Sequence, residues 1–196
     1  MSILRFLRKL KSKLRRSYYK LQYGIDTKEG SIIGAKCKIL GDAIAIGRNS
    51  TIGTNSWVQT IQKYHIFDYS GKITIGNGVN IGGHACITAA NEIVIGDNCL
   101  FSEYVYITDH FHGYDPEGGR LIEQKLSSKG STIIGENSFL GFRVTVLSGV
   151  NLGRNCVVGS HSVVTSSFPD YSMIAGVPAR LIKKYDKNIK QWIEVE

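Results

Sequence analysis

An aliphatic side chain recurs at every sixth residue through much of this 196-residue chain. In the C-terminal half the repeat reads Ile134, Leu140, Val146, Leu152, Val158 and Val164. A helix returns to the same face every 3.6 residues and a flat strand every two, so neither accounts for a period of six. The period suits a short strand followed by a corner, with one side chain of each unit pointing inwards. Three such sides make a coil of about 18 residues, so the pattern predicts an all-β solenoid.

The corners and interruptions of this repeat divide the chain. Glycine often follows the aliphatic residue, where it permits a sharp corner, and Asn or Asp at positions 49, 55, 77, 97, 137 and 155 tolerates a left-handed backbone. The register is interrupted by two insertions, near 60–71 and 109–131. We therefore predict an N-terminal segment over 1–24, a solenoid domain over 25–185, and a short helix over 186–196 that caps the open end.

Residues 1–24 are predicted to form a basic amphipathic helix. Its apolar stripe recurs at steps of three and four residues, at Ile3, Leu7, Leu10, Leu14, Tyr18 and Leu21. Residues 1–21 hold eight of the 24 basic residues and no acidic one, whereas the other 16 basic residues are balanced by 16 acidic ones. The body is therefore formally neutral, which argues against nucleic acid as a partner. The helix either lies on an anionic membrane surface or packs its stripe on the body or a partner subunit.

The sequence holds no apolar run long enough for a membrane-spanning helix or a signal peptide. Its four cysteines are scattered without a CxxC pair, at Cys37, Cys86, Cys99 and Cys156. Such spacing predicts free structural thiols rather than disulfides or a zinc site. We therefore expect a cytoplasmic protein that needs no metal, with peripheral contact to the inner face of the cytoplasmic membrane as a further option.

The second insertion carries the candidate chemistry. A solenoid gains no stability from a long loop, and long loops in compact domains are usually functional. This loop begins with Asp109, His110, Phe111 and His112. Histidine is the side chain best suited to accept a proton near neutral pH, and a neighbouring carboxylate such as Asp109 would orient its ring. The loop therefore predicts a general base.

Three stretches resemble a known family: "IGDNCLFSEYVYITDHFHGYDP", "IGENSFLGFRVTVLSGVNLGRNCVVGSHSVVT" and "IAGVPARLIKK". They are similar to the hexapeptide-repeat acyltransferases, from about residue 30 to 185, and most of all to enzymes that O-acetylate bacterial surface polysaccharides. Galactoside and maltose acetyltransferases share the last stretch. The resemblance implies a left-handed parallel β-helix, a homotrimer with sites between subunits, acetyl-CoA as acyl donor, and a sugar or glycan hydroxyl as acceptor.

The resemblance also assigns roles to individual residues. Aligning "IGDN" without a gap puts His112 at the place of the family's catalytic histidine, whereas a gap of two residues selects His110. His84 stands where the family presents an Asn to the acceptor. The positions that match coenzyme A contacts in the family are Phe139, Gly141, Ser160, Thr165, Arg180 and Lys183.

Several alternatives stay open on the same fold. A serine or amino-sugar N-acetyltransferase would share the donor site, and the sequence does not name the acceptor. A zinc enzyme similar to the γ-class carbonic anhydrases would need three histidines that converge across a subunit interface, for which His84, His110 and His112 are candidates. A solenoid without chemistry, acting as a scaffold, is the third alternative, although the histidine loop argues against it.

Overall fold

The computed structural model describes residues 3–195, with side chains from residue 10 onwards. Helix α1 (Ile3–Tyr23) precedes a parallel β-helix of six triangular coils. The first three coils and the hairpin between the second and third comprise β1 (Asp26–Thr27), β2 (Ile32–Ile33), β3 (Lys38–Leu40), β4 (Ile44–Ile46), β5 (Thr51–Ile52), β6 (Trp57–Thr60), β7 (Lys63–Tyr64), β8 (Phe67–Asp68), β9 (Lys72–Ile75), β10 (Asn80–Ile81) and β11 (Cys86–Ala89).

The later coils include the second insertion and a C-terminal hairpin. Their elements are β12 (Glu92–Ile95), β13 (Leu100–Phe101), β14 (Tyr106–Thr108), a 3-10 turn (Leu121–Glu123), β15 (Thr132–Ile134), β16 (Phe139–Leu140), β17 (Thr145–Val146), β18 (Asn151–Leu152), β19 (Val157–Val158), β20 (Val163–Val164), β21 (Ser172–Gly176), β22 (Ala179–Asp186) and β23 (Gln191–Glu194).

Each strand pairs in parallel with the equivalent strand one coil away, which produces three sheets. Side A contains β1, β4, β9, β12, β15 and β18; side B contains β2, β5, β10, β13, β16, β19 and β21; side C contains β3, β6, β11, β14, β17 and β20. One column of side A is formed by Ile46, Ile75, Ile95, Ile134 and Leu152, which pair in register and are at most 2% exposed. Full burial of such a side chain contributes about 1.5–3 kcal/mol, so the six-residue repeat is the core.

At most corners between sides A and B and between sides B and C, one residue adopts the left-handed backbone conformation, and at two corners it lies one residue after the predicted position. The third residue after the inward aliphatic one takes the left-handed conformation, as at Asn49, Asn55, Asn137 and Asn155. The prediction for positions 77 and 97 is wrong, because Gly78 and Asn98 occupy that third place, with φ of 65° and 57°.

Both insertions leave the solenoid at the corner between side C and side A, here called the C–A corner. The first forms the β7–β8 hairpin, and the second is closed by an antiparallel bridge between Phe111 and Ser127. The backbone N–H of Leu126 donates to the hydroxyl of Tyr69 at 2.7 Å, so the two insertions are tied to each other. They form one structure at one edge of the molecule.

The C-terminal helix predicted over 186–196 is wrong for the residues that the structure describes. β22 pairs antiparallel with β21, and β23 pairs antiparallel with β22, extending side B. After the last coil, the edge of side B presents unpaired backbone groups, and a hairpin satisfies them where a helix does not. Tyr185 and Trp192 pack across this hairpin with ring centroids 5.4 Å apart.

Helix α1 lies across the open end of the first coil, but its predicted apolar stripe is not the packed face. The hydroxyl of Tyr19 donates to the carbonyl of Cys37 at 2.6 Å, and the Nε of Arg15 donates to the carbonyl of Ile33 at 2.9 Å. Leu10, Leu14, Tyr18 and Leu21 are instead exposed, and Ile3 and Leu7 lie outside the residues whose side chains are described. Among the residues described, no helix is long and apolar enough to span a membrane.

The four cysteines are free, as predicted. Burial raises the pKa of the Cys99 thiol from its ordinary 9.0 to about 11. In the unfolded chain this thiol ionises near the ordinary value, so between these two pH values the folded state holds more protons than the unfolded state. The free energy of unfolding therefore falls as pH rises through that window.

We expect urea titrations at about pH 8.5 and about pH 10.5 to show a smaller decrease in the free energy of unfolding for Cys99→Ala than for the wild type. The difference between the two decreases isolates Cys99 from other groups that titrate there. Equal decreases in both proteins would contradict the assignment.

Candidate active site

Asp109 is the fixed point of the candidate site. It follows β14 at the C–A corner and is fully buried. Its Oδ1 accepts a hydrogen bond from the backbone N–H of Ala90, and its Oδ2 accepts one from the N–H of Asn91, both at 2.8 Å. These amides belong to the corner one coil earlier. A buried carboxylate held by two backbone donors has its desolvation offset, and its orientation is set by the solenoid itself.

The backbone of Asp109 is held as firmly as its side chain. Its carbonyl accepts hydrogen bonds from the hydroxyls of Ser128 and Ser148. Ser128 lies on the returning arm of the second insertion, and Ser148 lies at the corner of the next coil. The hydroxyl of Thr132 donates to the neighbouring carbonyl of Thr108 at 3.0 Å. Three consecutive coils therefore converge on this turn.

His110 forms a dyad with Asp109. Its Nδ1 lies 2.9 Å from Oδ1 of Asp109, and its side chain is 11% exposed. Because a carboxylate only accepts, this contact places the proton of a neutral imidazole on Nδ1. The Nε2 lone pair is then available to take a proton from another group. This is the arrangement of an oriented general base.

A cavity of about 280 Å³ opens beside the dyad. It is lined by His110, Phe111, Tyr114, Lys129, Leu147, Ser148 and Thr165. Thr165 is one of the residues expected to contact coenzyme A, and it follows β20 at the same C–A corner. The structure therefore places one residue that was predicted to bind coenzyme A next to the dyad.

His112 is placed differently from His110. Its side chain is exposed and packs edge-on against Tyr64 of the first insertion, with ring centroids 5.4 Å apart. Within the part of the chain that the structure describes, no hydrogen bond or ion pair reaches its ring. The ungapped alignment favoured His112 as the base, whereas the geometry favours His110.

The other residues predicted to bind coenzyme A lie on side B and at its junction with side C, here called the B–C corner. Phe139 is half-buried in β16, and Gly141 is buried at the corner. Ser160 is exposed at the same corner one coil later, and its Oγ accepts a hydrogen bond from the N–H of Phe142 at 3.2 Å. Arg180 and Lys183 lie on β22, and Lys183 pairs with Glu194 at 3.0 Å. One strand of side C, such as the four-residue β11, spans about 13 Å, so a single chain keeps these residues apart from His110.

A column of side chains along the B–C corner was missed by sequence reasoning. Asn55, His84, Tyr104, Arg143 and His161 occupy the left-handed position of five successive coils. His84 stacks on Tyr104 with ring centroids 4.6 Å apart and an interplanar angle of 4°, and the Arg143 guanidinium lies 5.4 Å from the Tyr104 centroid. The detectable signal was the third residue after the aliphatic one at the B–C corner, which is one corner in three. A histidine or tyrosine with positive φ is unusual and marks a constrained position.

His84 thus lies at the opposite end of side C from the dyad. Its Nε2 is 3.3 Å from the Nδ2 of Asn55 in the same column. Among the described residues, no three His, Cys, Asp or Glu side chains converge as metal ligands would. The three histidines considered for zinc are divided between two corners of one chain.

The repeat itself matches a known family. The family described as "Hexapeptide repeat of succinyl-transferase" matches residues 29–59 and 131–166. A relative from Escherichia coli strain K12, named "Putative lipopolysaccharide biosynthesis O-acetyl transferase WbbJ", is 34% identical over 168 residues, which cover 82% of each chain. The chain therefore belongs to the hexapeptide-repeat acetyltransferase family, and it is an acyltransferase.

One further relative agrees with this class, and one solved structure shares the fold. Galactoside O-acetyltransferase from the same organism is 29% identical over a match that covers 73% of this chain and 68% of its own. The crystal structure of AntD, an N-acyltransferase from Bacillus cereus in complex with dTDP and 3-hydroxybutyryl-CoA, shares 20% identity and a TM-score of 0.71, covering 89% of this chain and 90% of that one. At this identity AntD shows the fold alone, and the left-handed parallel β-helix predicted from the sequence is confirmed.

We expect Asp109→Asn to destabilise the protein by about 1–3 kcal/mol, because one amide N–H of Ala90 or Asn91 would then face an NH₂ group instead of an oxygen. Urea unfolding measures the change. Asp68→Asn, at an exposed position of the first insertion, is the matched control and should unfold like the wild type. A free energy of unfolding unchanged by Asp109→Asn would contradict the proposed role of these hydrogen bonds.

Proposed function

We propose that this acyltransferase transfers an acetyl group from acetyl-CoA to a hydroxyl of a sugar or of a surface-polysaccharide precursor. The observation that carries the proposal is the buried Asp109–His110 dyad, whose histidine lines a cavity together with Thr165. The names of the two Escherichia coli relatives support an O-linked sugar acceptor. The dTDP in the AntD complex supports a site able to take a nucleotide-linked sugar, and coenzyme A esters are the donors implied by the class.

The dyad performs both proton transfers of the reaction. Nε2 of His110 removes the proton of the acceptor hydroxyl as its oxygen attacks the thioester carbonyl. The tetrahedral intermediate then expels the thiolate of coenzyme A, the C–S bond breaks, and His110 returns the proton to the sulfur. Asp109 stabilises the imidazolium that exists between these transfers. General acid–base catalysis of this kind contributes about 10²–10⁴-fold in rate.

Acetyl-CoA would lie along side B and the B–C corner. In this proposal the ring of Phe139 forms a packing wall, and the corners at Gly141 and Ser160 contact the pantetheine arm. Arg180 and Lys183 bind the nucleotide phosphates, for which paired cationic donors are well suited. The Glu194 side chain of the Lys183–Glu194 ion pair is largely exposed. Breaking this ion pair so that Lys183 can bind a phosphate therefore requires little free energy.

We further propose a homotrimer with its active sites between subunits. Side C separates His110 from Gly141 and Ser160 within one chain, so the two halves of the site meet only if one subunit applies its B–C corner to the dyad of its neighbour. His84 belongs to that corner and would then contact the acceptor. A cyclic arrangement closes such head-to-tail contacts.

The choice of base is tested by thiol release from acetyl-CoA with a panel of sugars, amino sugars and glycans. We expect His110→Ala to lower kcat at least about 100-fold with binding of acetyl-CoA unchanged, and His112→Ala to change it only a few-fold. Loss in His112→Ala alone would make His112 the base. Turnover that survives both substitutions would overturn the mechanism, and turnover with amino sugars only would assign N-acetylation.

Sites between subunits predict complementation. His110→Ala and Arg180→Glu each inactivate a different half of the site, so either variant alone should show little turnover. When the two variants are co-expressed and co-purified, random assembly should restore about a quarter of the sites, because those combine an intact dyad with an intact donor half. A mixed oligomer that remains inactive would show that each site is built within one chain.

A further inference from the structure

Helix α1 has one face committed to the body. Ser12 and Tyr19 are 6% and 8% exposed. Tyr19 and Arg15 donate to carbonyls of the first coil, as described above, and the Nη1 of Arg16 donates to the carbonyl of Lys28 at 3.2 Å. The acceptors lie along the first coil from the end of side A to the B–C corner. The helix is therefore fixed on the N-terminal end of the solenoid by polar contacts and by one aromatic ring.

The opposite face carries the described part of the apolar stripe, where the Tyr18 ring packs edge-on against Tyr19 with centroids 5.3 Å apart. Leu10, Leu14, Tyr18 and Leu21 are 44%, 62%, 55% and 91% exposed. At 3.6 residues per turn, these positions lie on roughly the other side of the helix from Ser12, Arg16 and Tyr19. Three leucines aligned on the outside of a helix are unfavourable in water unless something covers them.

The charges around this stripe identify what covers it. Lys11 borders it on one side and Lys13 and Lys20 border it on the other, and all three are exposed. No acidic residue precedes Asp26, whose carboxylate is paired with Lys28 at 2.8 Å. A second copy of this chain would bring the same positive charge against this face. An apolar stripe flanked by lysines on both sides suits an anionic lipid surface.

A cavity on the side of α1 opposite the stripe is also rich in basic residues. It measures about 980 Å³, lies between α1 and the first two coils, and has one acidic residue, Glu29, among five basic ones: Lys11, Lys13, Arg15, Arg16 and Arg48. In the described part of the chain, Ser12 Oγ and Arg16 Nε are buried without a hydrogen-bond partner.

We propose that α1 is a membrane-surface anchor. Its leucines enter the boundary between headgroups and acyl chains, its lysines lie among anionic headgroups, and the solenoid stands with its N-terminal end towards the bilayer. This inference does not depend on the reaction that the enzyme catalyses.

Vesicle sedimentation tests the anchor with the full-length protein. We expect at least about 10-fold stronger partitioning onto vesicles of phosphatidylcholine with 30% phosphatidylserine than onto phosphatidylcholine alone, and release by high salt. The variant Leu10→Ser/Leu14→Ser/Leu21→Ser should lose this binding. The matched control Ile66→Ser/Ile122→Ser/Ile189→Ser removes three exposed aliphatic side chains elsewhere and should bind like the wild type.

A second variant separates charge from the apolar stripe. Lys11→Glu/Lys13→Glu/Lys20→Glu keeps the leucines and should also lose binding to anionic vesicles. Circular dichroism and thermal unfolding matching the wild type show that each variant is folded. Wild-type protein that stays in the supernatant with both vesicle types would overturn the proposal. So would a stripe variant whose molar mass by light scattering falls while its vesicle binding is unchanged, since the stripe would then be a contact between copies.

Discussion

In-register stacking of one aliphatic side chain per side is the constraint on which the whole molecule depends. Because Ile75 must lie over Ile46 and under Ile95, no coil can gain or lose a residue within a side. Extra sequence can leave only at a corner, and both insertions leave at the same one. The rigid stack thereby assembles a loop-built site from coils that are neighbours in space but separated along the chain.

The dyad inherits its precision from this stack. The carboxylate of Asp109 is oriented by backbone amides of the preceding coil, and its carbonyl by a serine of the following coil. These contacts are independent of the exposed parts of the two insertions, such as Ile66 and Ile122. The loop tips can therefore vary in sequence without moving the Asp109–His110 dyad.

The sequence predicted what burial dictates and failed where tertiary context decides. The coils were predictable because each buried aliphatic residue repeats with the period of the fold. The alignment favoured His112 over His110, because both lie in one loop and only the structure shows which ring meets Asp109. The amphipathic pattern of α1 revealed a stripe but not its orientation, since polar groups of Arg15 and Tyr19 rather than leucines seal the first coil. The strand at Gln191–Glu194 formed where an open sheet edge overrode a helical pattern.

The position of α1 at one end of the solenoid also determines how far the Asp109–His110 dyad lies from any surface that α1 contacts. Asp109 and His110 follow the fourth coil, three strand spacings of about 4.8 Å beyond the first, or about 14 Å. With the helix, about 10 Å across, beneath the first coil, the dyad stands roughly 25 Å above a surface on which α1 rests. A single sugar attached directly to a lipid headgroup would lie below the base. If α1 rests on a membrane as proposed, the dyad would lie within reach of the far end of a longer glycan rather than of a sugar next to the headgroup.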